Sequence, residues 1–288
     1  MTRVLVLAAT GMLGHAVFRV LGDAALFEVW GTVRQPAGLR FLPASAHARI
    51  VTGVDVLDSD ALAAVLARVK PTVVINCAGI IKQLASANDP LVALPINSLL
   101  PHRLSRLCAL ANARLIHIST DCVFSGDKGH YLESDAADAT DLYGRSKHLG
   151  EVTDARHAVT LRTSIIGHEL DSRRALVDWF LSQNGRVRGY TKAIFSGLPT
   201  VELARVIRDV VLPRPELHGI YHVSAKPISK DALLRLIAAT YGKRIDIEAD
   251  DSVVIDRSLN SERFTAATGY IAGDWPSLIG LMHQSRTK

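Results

Sequence analysis

The chain has 288 residues, of which 48% are apolar, 21% charged and 6% aromatic. That composition supplies a sizeable core and length for about two domains, which excludes disordered, collagen-like and low-complexity proteins. Cys77, Cys108 and Cys122 lack Cys-x-x-Cys spacing and cannot all pair within one chain, so neither a disulfide framework nor a structural zinc is expected and a reducing, cytoplasmic setting is favoured. A net charge of +5 attracts anions. The basic residues are nevertheless scattered, with doublets such as Arg173-Arg174 and Lys243-Arg244 but no longer run, which argues against nucleic acid as partner. No apolar stretch approaches the roughly 20 residues that span a bilayer. The N-terminus passes directly into Val4-Leu5-Val6-Leu7 without a leader pattern, so no membrane role is expected.

Val4 to Leu7 reads as a buried parallel strand ending in a small-residue turn. Leu13, Ala16, Val17, Val20 and Leu21 follow helical spacing, and Gly22 ends that helix. Phe27 to Val33 is a second strand. After an irregular stretch, Leu62, Val65, Leu66 and Val69 mark a helix stopped by Pro71. Val73 to Ile75 is a strand, Leu100, Leu104, Leu107 and Ala111 a helix, Leu115 to Ile118 a strand, and Ala158 to Leu161 another after an intervening helix. Such alternation predicts an α/β protein with a doubly wound parallel sheet of the Rossmann type, occupying residues 1–165. Beyond it, helices are expected at Ala175 to Phe180, Val201 to Val211 and Ala232 to Tyr241, with a short strand at Ile220 to Val223. Gly185 to Pro199 looks turn-rich and aperiodic. Residues 166–288 are expected to form mainly a smaller substrate-binding region, with about 200–225 returning to the first domain.

The first strand runs into Ala8-Ala9-Thr10-Gly11-Met12-Leu13-Gly14 and a helix begins at once. A glycine-rich strand-to-helix turn lets backbone N–H groups and the helix N-terminus hold a pyrophosphate. By position, Gly11 serves the phosphate approach and Gly14 the close packing of helix on strand, within a binding segment of Thr10, Gly11, Met12, Leu13 and Gly14. An acidic residue after the second strand would bind a ribose 2′-hydroxyl. Arg34 stands there and offers a charge partner for a 2′-phosphate, favouring NADPH over NADH. Asp55, with Val56, is the candidate for the adenine edge.

Tyr143-Gly144-Arg145-Ser146-Lys147 places Tyr and Lys on one helical face. The ammonium is expected to pull the phenol down from about 10 towards neutrality, so that it can exchange a proton with a carbonyl or alkoxide oxygen. Ser119-Thr120-Asp121 lies at the end of a predicted strand, where sheet ligands bind, so the Thr120 hydroxyl can reach that same oxygen.

With these motifs the sequence resembles the extended short-chain dehydrogenase/reductases, and among them the dTDP-4-dehydrorhamnose reductases and related nucleotide-sugar reductases. The resemblance rests on Ala8 to Gly14, Asn76-Cys77-Ala78-Gly79, Ile96-Asn97, Ser119 to Gly126, and Tyr143 to Lys147 followed by Gly150-Glu151. Arg162-Thr163-Ser164 and Arg257-Ser258-Leu259 extend it. It implies a seven-stranded Rossmann domain with a smaller C-terminal substrate domain, and hydride transfer from NAD(P)H to a keto group of a nucleotide-diphosphate sugar. It also implies Tyr143 as proton donor, Lys147 tuning it and holding the nicotinamide ribose, and Thr120 bonding the keto oxygen. Asn97 corresponds to the family's Asn near the active site, and Cys77, Ala78 and Gly79 would line the cofactor. Ala8 departs from the pattern by replacing the first of three spaced glycines, a change expected to alter cofactor affinity without abolishing binding. The related 4,6-dehydratases carry Thr-Asp-Glu where this chain reads Thr120-Asp121-Cys122, so the base of the elimination is missing and reduction is favoured.

Candidate substrate contacts are Lys82, with Gln83 beside it, Thr120, Asp121, Val123, Trp179 and Arg257, the last favoured for the diphosphate; Lys192 and Thr200 are further candidates. None of the eleven His forms a His-Glu-x-x-His motif, and Gly219 interrupts the pair His218 and His222, so no metal is expected. Two rivals stay open: a nucleotide-sugar epimerase of the same superfamily, and a non-catalytic NADP-binding regulatory subunit, a role the fold has in the methionine adenosyltransferase β subunit. Homodimerisation is left open.

Overall fold

A computed structural model describes residues 1–82 and 85–286. Its centre is a seven-stranded sheet built of β1 (Thr2–Leu7), β2 (Phe27–Val33), β3 (Ile50–Thr52), β4 (Val73–Asn76), β5 (Arg114–Thr120), β6 (Ala158–Thr163) and, after four short strands elsewhere, β11 (Gly219–His222). The spatial order is β11-β6-β5-β4-β1-β2-β3, and every pairing in it is parallel. The order reverses at β1, where a doubly wound sheet opens its ligand crevice beyond the strands' carboxyl ends.

Alternation along β1 shows how the sheet divides the core. Val4 and Val6 face one layer, with Leu13, Ala16, Val17 and Leu21 of α1 (Met12–Gly22). Leu5 and Leu7 face the other, with Leu62, Val65, Leu66 and Val69 of α2 (Ser59–Val69). Side chains alternate at period two along a strand and return at 3.6 along a helix, so each helix stripe meets one strand face. On the α2 side the chain continues through α3 (Pro90–Ala93), a π-helical stretch (Leu94–Leu99) and α4 (Leu100–Leu110). The short α5 (Leu142–Leu149) packs against β5 and that π-helical stretch.

The segment 185–199 departs from its turn-rich expectation. With β7 (Ile165–Ile166) and α6 (Leu176–Ser182) before it, it contributes β8 (Arg186–Tyr190), β9 (Ala193–Phe195) and β10 (Leu198–Pro199). After α7 (Thr200–Val206), its π-helical extension Ile207–Val211 and β11 come β12 (Ile228–Ser229), α8 (Lys230–Tyr241), β13 (Asp246–Asp250), β14 (Ile255–Asp256), α9 (Glu262–Thr268) and α10 (Trp275–Gln284). β8 pairs with β13, β9 with β12 and β14, and β10 with β7. Strands of two to five residues, paired with distant partners and carrying Arg and Gly, leave too little period-two signal to read locally. Among the described residues, no helix is long and apolar enough to cross a membrane, and no cluster of His, Cys, Asp and Glu could hold a metal.

Candidate active site

The glycine turn lies at the carboxyl end of β1. Gly11 N-caps α1, whose first turn has no side-chain cap and no acidic residue, so its first amides are left for an anion. A Cβ on Gly14 would lie 2.0 Å from the Ala8 carbonyl oxygen, so only glycine lets α1 start this close to β1. Thr10, Gly11 and Met12 are half-buried and Leu13 is in the core. The turn therefore fits a pyrophosphate. Ala8 holds φ at +57°, in the left-handed region that residues other than Gly, Asn and Asp seldom enter.

Arg34 is exposed immediately after β2, and the following loop bends back so that a Cβ on Gly38 would sit 3.5 Å from Thr10. Asp55 is exposed after β3 and accepts the Leu57 amide at 2.9 Å, while Val56 packs on the α2-side core. Cys77 and Ala78 are half-buried and Gly79 exposed beyond β4, where the Asn76 side chain accepts the Ala78 amide at 3.1 Å. Asn97 is 1% exposed and works inside the structure: its carbonyl accepts the Ile80 amide at 2.9 Å and its amide donates to the Ser146 hydroxyl at 3.2 Å. It thus ties the loop after β4 to α5 from a π-helical turn, a distortion that recurs at functional sites.

Thr120 closes β5, and its hydroxyl both donates to Asp121 at 3.1 Å and accepts the Cys122 amide at 3.2 Å. A Cβ on Gly144 would lie 2.1 Å from the Cys122 carbonyl oxygen, so this glycine is what lets α5 descend onto the end of β5 and carry Tyr143 to Thr120. Asp141 caps α5 through the Gly144 amide at 2.7 Å. The expected lowering of the Tyr143 phenol is corrected. Burial pushes it well above its ordinary value, the charges of Asp121 and Asp141 add to that, and the Thr120 side chain opposes it. The Lys147 ammonium is turned to the strand, donating to the Ile118 carbonyl at 2.8 Å. Burial brings Lys147 down to about 8, against the opposing charge of Glu151. The phenol is accordingly firmly protonated.

Asp121 is buried, and burial raises its pKa against the Thr120 hydrogen bond and the charges of Arg257 and Lys230. Val123 is fully buried and packs with Phe124, Tyr131 and Leu259, which places it in the wall behind the crevice. Lys82 reaches Asp141 at 2.6 Å, beside Tyr143. Arg257 anchors its Nε on the Phe124 carbonyl at 2.7 Å, and its charge acts on Asp121, Cys122, Asp138 and Asp141. Lys230, which the sequence reading missed, opens α8 with its ammonium 4.8 Å from the Phe195 ring centre. Burial lowers its pKa, and the charge of Asp121 opposes that. Its only sequence signal is the Ser229 cap that precedes it, and a first-turn Lys runs against the helix dipole. Lys82, Arg257 and Lys230 thus converge on the crevice around Asp121 and Cys122. Trp179 lies on α6, 37% exposed, Lys192 pairs with Asp251 at 3.0 Å on the surface, and Thr200 is buried against Gly167. Gln83 lies outside the described residues. Two surface cavities, of about 330 and 270 Å³, sit at Arg188 with Glu248 to Ser252 and between α1 and segment 41–49; neither is lined by Thr120, Tyr143 or Lys147.

Among proteins of known sequence, the chain is similar to methionine adenosyltransferase 2 subunit beta of Danio rerio, with 31% identity over 236 residues, covering 78% of this chain and 69% of the relative. It is also similar to dTDP-4-dehydrorhamnose reductase of Aggregatibacter actinomycetemcomitans, with 25% identity over 236 residues, covering 79% and 74%. Its fold matches that of dTDP-4-dehydrorhamnose reductase from Bacillus anthracis in complex with NADP, at a TM-score of 0.80, 19% identity and 99% coverage of both chains. The profile of the RmlD substrate binding domain matches residues 1–250, and the chain belongs to that family.

Proposed function

We propose that this protein reduces a keto group of a nucleotide-activated sugar with NADPH, most specifically the 4-keto group of a 6-deoxysugar. The observation that carries this reading is the half-buried, protonated Tyr143 beside Thr120, one helical turn from Lys147, at the end of β5, which β4 separates from the strand that carries the glycine turn. The dinucleotide, when bound, supplies the hydride. The amides of Met12 and Leu13, opened by Gly11, would hold its pyrophosphate, Arg34 a 2′-phosphate, Asp55 and Val56 the adenine, and Cys77 to Gly79 the wall near its reacting end. Thr120 orients the keto oxygen by hydrogen bonding, and Tyr143 delivers the proton that the new alkoxide needs. Lys147, one helical turn from Tyr143, would hold the nicotinamide ribose. The nucleotide-linked diphosphate matches the three cations Lys82, Arg257 and Lys230. Asp121, held among them, is an acceptor for a sugar hydroxyl.

The test is NADPH oxidation across a panel of nucleotide-linked keto-sugars, with Tyr143→Phe as control. Turnover that survives unchanged in that variant removes Tyr143 from the mechanism, and no turnover on any member removes the reductase reading. A second reading has its own observation: the 31% identity to methionine adenosyltransferase 2 subunit beta over 78% of the chain. In that case the protein is a regulatory subunit that binds NADP(H). Co-purification with a methionine adenosyltransferase, without turnover on the panel, would favour it.

A further inference from the structure

Directly behind the catalytic strand lies a buried polar group that the chemistry above does not use. Glu151 follows α5 by two residues, and its side chain is 1% exposed. It accepts the Ser119 hydroxyl at 2.7 Å and both Nε and an Nη of Arg162 at 2.6 Å, and contacts His148 Nδ1 at 3.0 Å. Ser119 directly precedes Thr120, and Lys147 stands four residues before Glu151, so the carboxylate holds the residue next to Thr120 directly while its charge acts on Lys147.

We propose that Glu151 is a positioning residue: its buried carboxylate supplies the fixed negative charge that keeps the Lys147 ammonium charged, and it pins the Ser119–Thr120 strand end against α5. The proposal rests on the reductase reading for its catalytic meaning. Among the described residues, the surroundings offer no substitute charge. From β5, His117 lies near Lys147, and burial together with the Lys147 charge keeps its ring neutral. From α4, His102 is spent on the Leu149 carbonyl at 2.8 Å. From β6 and β11 come Arg162 and the His222 ring it contacts at 3.3 Å. On α5 itself stand the protonated Tyr143 and the half-exposed His148. Removing the carboxylate therefore subtracts the negative charge and also leaves the Arg162 cation unneutralised in the same interior. Both effects disfavour a charged Lys147.

The test reads the Lys147 titration directly, by NMR of 13Cε-lysine-labelled, cofactor-free protein, assigned with Lys147→Met. The wild-type midpoint is expected at about 8. In Glu151→Gln it falls by about one unit or more. Because an unpaired buried Arg can block folding, the pair Glu151→Leu with Arg162→Met is measured as well; apolar replacement of a whole buried pair is commonly tolerated. Its midpoint falls between those of the wild type and Glu151→Gln. In the active enzyme, the alkaline limb of the kcat/KM profile moves down in the same order. Midpoints equal to the wild type in a folded variant overturn the proposal. The titration needs no substrate, so an inactive wild type would end the reductase reading while leaving the link between Glu151 and Lys147 decided by the NMR.

Discussion

Replacing Ala8 by Gly tests whether the departure from three spaced glycines strains the turn. Ala8 holds φ at +57°, its amide donates to the Thr32 hydroxyl at 3.2 Å, and its carbonyl accepts the Gly11 amide at 2.9 Å. Those bonds fix the backbone whatever the side chain, so Ala bears the left-handed penalty of about 1–2 kcal/mol. Glycine escapes the penalty but loses about 0.4–1 kcal/mol through greater freedom of the unfolded chain. The difference leaves Ala8→Gly more stable by about 0.5–1 kcal/mol. For a chain of this size that is a rise in Tm of about 2 °C, or a higher urea midpoint at unchanged m-value. Glycine adopts the same φ, so the first amides of α1 keep their places, and the Kd for NADPH should change by less than about threefold, under 1 kcal/mol. Equilibrium urea unfolding followed by circular dichroism, with a fluorescence titration of NADPH, measures both. A variant less stable than the wild type would refute the strain argument and show that the methyl's packing outweighs the backbone cost.

Tyr143→Phe should lower kcat by about 10² to 10⁴ while the Kd for NADPH stays within a few-fold, checked by stopped-flow and fluorescence titration. Arg34→Ser should raise KM for NADPH by about 10- to 100-fold, the worth of a charge-assisted contact, and leave KM for NADH unchanged; a cofactor preference that survives assigns the 2′-phosphate elsewhere. Lys230→Met should raise KM for the nucleotide sugar, and added Arg257→Met should raise it further with NADPH binding intact; an unchanged KM in both places the diphosphate outside this crevice. Burial would raise the Glu151 carboxyl, but the hydrogen bonds of Arg162, His148 and Ser119 and the Arg162 charge outweigh it and hold the group at about 2 against an ordinary 4.5. Its folded-state pKa is depressed, so its stabilisation is whole above about pH 4.5 and is lost as pH falls through about 2. Urea midpoints between pH 6 and 3 should therefore fall more steeply for the wild type than for the Glu151→Leu, Arg162→Met pair.

What the chain announces locally are features with short-range causes. The parallel sheet shows in apolar runs such as Val4 to Leu7 and Val73 to Ile75, because a strand covered on both faces must be apolar throughout. The glycine turn, the end of β5 and the Tyr–Lys helix are legible because each is a contiguous motif whose spacing dictates its geometry. Tertiary structure alone decided what depends on distant neighbours. It made β8, β9 and β10 strands, since two to five residues become a strand only when a remote partner supplies hydrogen bonds. It set the ionisation of the site: sequence adjacency suggested a phenol lowered by Lys147, whereas burial keeps Tyr143 protonated and directs Lys147 to the Ile118 carbonyl. Lys230 and the contacts of Glu151 likewise emerge only once α8 brings Lys230 within the field of Asp121 and Arg162 crosses from β6, because charge and burial are properties of the space around a residue and not of its place in the chain.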